Sequence, residues 1–142
     1  MANRTDRIAI FQAAGFTVLG EAADASGVTP SAAIRAVAST AVVPRVRIGL
    51  TDDGSLVATE RAWWETARDV GLFDEHGTCY FCITGPGAST LPWLRARAPE
   101  RSGFLPVLWE KTGSPDFVAV STLGTPVVGV SEEEDENWIV VT

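Results

Sequence analysis

The sequence predicts an α+β fold: a helical N-terminal unit over residues 1–72, packed on an acidic unit over residues 73–142. The second unit is expected to be a small, mainly antiparallel β-sheet with one or two helices against it. Three observations carry this reading. Ile8, Phe11 and Ala14 recur at helical spacing, as do Leu56, Trp63, Ala67 and Val70. Val46, Ile48 and Leu50 alternate with Arg45 and Arg47, the pattern of a half-buried strand. From Thr78 onward, short β-rich runs are separated by turns containing Gly and Pro. At 142 residues and 46% apolar content, the chain can bury a core without disulfide staples. The Phe73–Gly77 join is short, so the two units should pack together, and one continuous domain stays open as an alternative.

The first helix is expected over Arg4–Ala14. Helices over about 20–26 and 30–39 follow. Between them, Gly27 supplies a residue that tolerates positive φ. Thr29 can cap the next helix and Pro30 suits its first turn. After the strand at Arg45–Leu50, Thr51 is placed to cap a long helix that stops at Gly71. Asp52 and Asp53 fall in its first turn, where the helix dipole favours carboxylates. Trp63 and Trp64 are adjacent and so point to different sides. In the second half, Thr78–Thr84 reads as a strand and Ser89–Ala98 as a short helix with Pro92 in its first turn. Phe104–Glu110, Phe117–Ser121, Pro126–Val130 and Trp138–Val141 read as strands, and Ser131–Glu136 as an acidic turn or short helix.

The stretch Gly15–Val37, followed by Arg45–Gly54, carries a further pattern. Ala22 and Ala23 are small where one helix would cross the next, Gly27 lies at the turn, Val28 fills the corner, and a strand comes after. On these residues the chain resembles a winged helix-turn-helix: residues 6–70 resemble the DNA-binding part of MarR-type regulators, and Gly27–Val37 the AsnC type. The resemblance implies a winged-helix-like unit whose helix over about 30–39 enters a DNA major groove. Ser31, Ala32 and Arg35 would then face base edges, and Arg45 and Arg47 on the wing would meet phosphate. A plain αα-hairpin packed on a sheet would show the same local signals and remains the competing reading.

Net charge is −7 and is unevenly spread. Residues 1–72 hold seven arginines against eight carboxylates, whereas residues 73–142 hold four cations against ten carboxylates. An acidic chain is a poor nucleic-acid binder, because phosphate contacts need clustered cations. The asymmetry leaves the candidate DNA-binding half near neutral, so affinity would be modest for one copy and would call for a homodimer. Arg4 and Arg7 ahead of the apolar Ile8–Gly20, with Ala23-Asp24-Ala25 behind, make a faint secretory-signal pattern, but Gln12 and Thr17 interrupt it. No run approaches the roughly 18 apolar residues that span a bilayer. A soluble cytoplasmic protein with no membrane partner is expected.

Candidate chemistry is sparse. His76, Cys79 and Cys82 form H-x-x-C-x-x-C, a spacing that can bind zinc, but the chain has no second histidine or third cysteine, so only an Asp or Glu could complete a site. Cys-x-x-Cys is also the spacing of thioredoxin-like redox pairs, which normally open a helix after a strand. The pair inside Tyr80-Phe81-rich strand sequence reads instead as two buried thiols sent to opposite faces. Thr84–Thr90 could cradle a phosphate before a helix but lacks the lysine of a P-loop, and reads better as a strand-to-helix turn. His76, the only histidine, has no nucleophile signature beside it. Five tryptophans is a high count, and Trp64, Trp93 and Trp138 are the candidate anchors for a partner.

The resulting expectation is a small DNA-binding transcriptional regulator with an acidic sensing or dimerisation unit. It should use no cofactor and no metal, and is more in keeping with a non-enzyme than an enzyme. The alternative is a non-enzymatic acidic protein-binding module, such as an antitoxin, immunity or assembly protein.

Overall fold

The computed structural model describes residues 4–39, 41–50, 54–84 and 87–142. Its elements run α1 (Arg4–Ala13), β1 (Thr17–Ala22), α2 (Pro30–Val37), β2 (Val46–Gly49), α3 (Ser55–Asp69), β3 (Thr78–Ile83), a 3-10 turn (Ala88–Thr90), β4 (Trp93–Arg97), α4 (Phe104–Thr112), β5 (Phe117–Val120), β6 (Val127–Glu132) and β7 (Glu136–Val141). The strands form one seven-stranded sheet in the order β1-β4-β3-β5-β6-β7-β2, and every neighbouring pair is antiparallel.

The middle strands explain the layering. In β5 all four residues are buried, although successive side chains point to opposite faces. Phe117 and Ala119 join one core; Val118 and Val120 join another. Both faces of the sheet are therefore covered. On the first face, α1, α3 and α4 bring Phe11, Trp63 and Phe104 onto Phe81 and Phe117 from the sheet. These rings meet mostly edge-on: Trp63 lies 5.2 Å from Phe117 and 5.5 Å from Phe104, the geometry that ring quadrupoles favour. On the second face, α2 and the chain around Ala25 and Val28 cover Cys82, Trp93, Val118 and Val140.

The seating of α2 depends on a glycine. A Cβ built on Gly129 of β6 would lie 3.0 Å from both γ-methyls of Val37. Gly129→Ala is expected to destabilise by about 1–2 kcal/mol through overpacking. The double variant Gly129→Ala/Val37→Ala should lose less than the two single changes together, as read by urea denaturation. Strict additivity would show that the two residues do not share this contact.

The winged-helix expectation is corrected here. Residues 17–22 form an edge strand, so the chain has no helix over 20–26 to cross a second one. Gly15, at φ +98, ends α1, and the following Phe16 is buried against Phe81 and Phe104. That turn directs Thr17-Val18-Leu19 along β4, with a bulge between Val18 and Gly20. Pairing with β4 outweighs the helix-favouring Glu21-Ala22-Ala23 string, whose preference is worth only tenths of a kcal/mol per residue. The local signals for α2 are all present: Thr29 accepts a hydrogen bond from the Ala32 N–H, Pro30 opens the helix, and Gly27 has φ +94. They serve a single helix lying on a sheet. The presumed wing, β2, pairs with β7 at the edge of the same sheet. Helices and strands are interleaved along the whole chain, so the expected fold class, a separate helical unit set on a small sheet, does not hold. With it go the DNA-binding, winged-helix and transcription-regulation readings.

Two further elements exchange identity. Trp93–Arg97 is a strand where a helix was expected, because it fills the space between β1 and β3. Phe104–Thr112 is a helix where a strand was expected. Phe104, Leu105 and Leu108 bury one face, Pro106 sits in the first turn where it loses no intrahelical bond, and Gly103 and Gly113 bracket the helix at φ +112 and +80. The expected cap Thr51-Asp52-Asp53 and part of the Thr84–Thr90 turn lie outside the described residues. Among the described residues no helix is long and apolar enough to cross a membrane.

Candidate functional site

The residues assigned to DNA do not form a groove-reading surface. Ser31 and Ala32 are half-buried at the start of α2, and Arg35 is exposed on the same helix. Arg45 pairs with Asp69 at the end of α3. Arg47 lies 3.4 Å from Glu136 and 5.3 Å from the ring centre of Trp138, its cross-strand neighbour. Both arginines are thus engaged by carboxylates, and Arg47 stands beside the most acidic segment of the chain. A phosphate backbone brought there would meet repulsion.

That segment is the β6–β7 connection. Glu132, Glu134 and Asp135 are exposed, and Glu133, Glu136 and the nearby Asp116 are half-buried. Hydrogen bonds order the corner. Asp116 Oδ1 accepts from the Glu132 N–H at 2.6 Å, Ser131 Oγ donates to Glu133 at 2.7 Å, and the Trp138 indole N–H donates to Glu136 at 2.6 Å. Burial pushes the Asp116 carboxyl up to about 6, and the charges of Glu132 and Glu133 push the same way, against the Glu132 N–H. The folded state therefore takes up this proton more readily than the unfolded chain. Stability from this group is fully present below the ordinary carboxyl value of 3.8 and is lost as pH rises from there through about 6, above which both states are ionised and the loss is complete. Asp116→Asn should accordingly gain on the wild type as pH goes from 5 to 8, measured by parallel urea denaturation. A difference independent of pH would refute the assignment.

A second feature lies between α3 and the start of α4: a cleft of about 360 Å³, lined by Val57, Glu60, Arg61, Trp64, Glu65, Arg68, Ser102, Gly103 and Pro106. Its buried element is Glu60, which accepts hydrogen bonds from the backbone N–H of Gly103 at 2.7 Å and of Leu105 at 2.9 Å, and from the Trp64 indole at 3.2 Å. No side chain from its own flank caps α4, so Glu60 does that from a neighbouring helix. Trp64 stacks on Phe73 at 5.7 Å, and the Arg68 guanidinium stands 5.7 Å from its ring centre. Sequence reading overlooked Glu60. Its signal was a carboxylate inside the apolar stripe Leu56, Trp63, Ala67.

Of the other tryptophans, Trp93 is fully buried and its indole N–H donates to Val28 O at 2.8 Å. Trp138 is half-buried beside Arg47. Trp109, which sequence reading did not single out, is 47% exposed on α4. Strand β3 sends Cys79 into the first core and Cys82 into the second, so His76, Cys79 and Cys82 do not converge. Burial pushes the Cys82 thiol up to about 12 and raises Cys79 as well, so both are protonated at neutral pH. His76 is exposed in a turn, 3.4 Å from Glu75. Among the described residues no cluster of three or more His, Cys, Asp or Glu is placed to hold a metal ion. Comparison with protein-family models, with curated proteins and with solved structures finds no match for this chain.

Proposed function

We propose that the chain is a non-catalytic protein-binding module that recognises a basic surface of a partner protein through the acidic corner of Asp116 and Glu132–Glu136. The observation carrying this reading is the order of the corner. Six carboxylates crowd one end of the sheet; three of them, Asp116, Glu133 and Glu136, are held by hydrogen bonds, and Asp116 sits where burial and like charge oppose its ionisation. A cationic partner would relieve that opposition, and complementary potentials of this kind raise association rates and select partners. The neutral buried thiols and the solvated histidine support a non-catalytic role. Two unpaired cysteines favour a reducing compartment such as the cytoplasm.

The test is selection from a displayed library of folded domains and peptides against the full chain at near-physiological salt. Recovered binders should be rich in Arg and Lys. The variant Glu132→Gln/Glu133→Gln/Asp135→Asn should weaken them by about tenfold or more. Binding should also shift the Asp116 carboxyl toward the ordinary range. Binders that ignore the triple substitution would overturn the reading.

A further inference from the structure

The α3–α4 cleft is separate from the acidic corner and has a different chemistry, an apolar wall with two arginines at its rim. We infer that it binds a small planar aromatic anion, with the ring system against Trp64, Val57 and Pro106 and the anionic group between Arg61 and Arg68. In a chain of net charge −7, these two guanidinium groups overhang one cleft, and among the described residues neither has a carboxylate at ion-pair distance. With Glu65 on the same rim and Glu60 at the base, the lining is formally neutral, so the positive potential is confined to the two guanidinium groups themselves. The carboxylate of Glu60 is already taken up by its three N–H donors.

The apolar wall is prepared in advance. Trp64 is held from beneath by Phe73 and at its indole nitrogen by Glu60, so little side-chain freedom is lost on binding. Val57, 57% exposed, presents apolar surface at the cleft. A volume of about 360 Å³ falls in the range of small-ligand pockets rather than of protein-sized grooves. Guanidinium planes both pair with carboxylate or sulfonate oxygens and stack on aromatic rings, so the two arginines complement both halves of such a ligand.

The experiment titrates the isotopically labelled full chain by NMR with 2-naphthoate, with neutral 2-naphthamide and with acetate. Saturable shifts are expected at the Trp64 indole N–H and at Gly103 with 2-naphthoate. Binding of 2-naphthamide should be about fivefold weaker, as two exposed charge contacts allow. Arg61→Gln/Arg68→Gln should bring 2-naphthoate down to the amide's level while the backbone N–H spectrum stays that of the folded chain, and acetate should not saturate. Equal affinities for the acid and the amide, shifts centred away from the cleft, or no saturation by 2-naphthoate at roughly 10 mM, a concentration well past weak-ligand affinities, would each overturn the assignment.

Discussion

Replacing Gly124 with valine is expected to cost about 4 kcal/mol, the sum of a strained backbone and a steric clash. Gly124 lies in the turn between β5 and β6 at φ +88, a conformation that β-branched residues essentially do not adopt. A Cβ there would also stand 2.8 Å from the carbonyl oxygen of Ala25 and 3.3 Å from the Ser26 side chain. The turn and the chain at 25–26 are further joined by Ser26 Oγ, which donates to Thr122 O at 3.0 Å. Gly124→Asn separates the two causes. Asparagine tolerates positive φ but still carries the Cβ, so it should recover only the backbone part. Urea denaturation should rank Gly, Asn and Val in falling stability. An asparagine variant as stable as the wild type would mean that the turn is not pressed against Ala25.

Glu60→Ala is expected to cost about 3 kcal/mol, because it strips a buried acceptor from three donors at once. The N–H groups of Gly103 and Leu105 would lose their partner at the start of a helix whose dipole already favours a carboxylate there. The Trp64 indole N–H would lose its partner too. Glu60→Gln keeps the shape and one acceptor oxygen, and should fall between the wild type and alanine. Hydrogen exchange locates the effect: the amides of α4 should lose protection more than those of β5 or β6. Uniform loss across the sheet, or a cost below about 1 kcal/mol, would show that α4 does not depend on this cap.

The acidic corner was legible in part. Glu132-Glu133-Glu134-Asp135-Glu136 reads as an acidic turn from composition alone. Asp116, sixteen residues away from Glu132, enters only because β5 and β6 pair and place its carboxylate on the Glu132 N–H. The α3–α4 cleft was not legible: Trp64 stood out, but its neighbours Ser102, Gly103 and Pro106 come from a segment read as a strand entry.

What the sequence determined by itself were the features set by nearest-neighbour chemistry. The Thr29–Pro30 helix start, the positive φ at Gly27, the long helix through Trp63, the alternating strand β2 and the apolar strands β3 and β5 all rest on a few consecutive residues. What only the tertiary structure decided was the identity of β1, β4 and α4 and the union of both halves in one sheet. Segments such as Thr17–Ala22, Trp93–Arg97 and Phe104–Thr112 have weak or mixed propensities, worth fractions of a kcal/mol per residue. Each adopts the form that buries its apolar side chains and pairs its backbone, and those gains depend on partners far away in the chain.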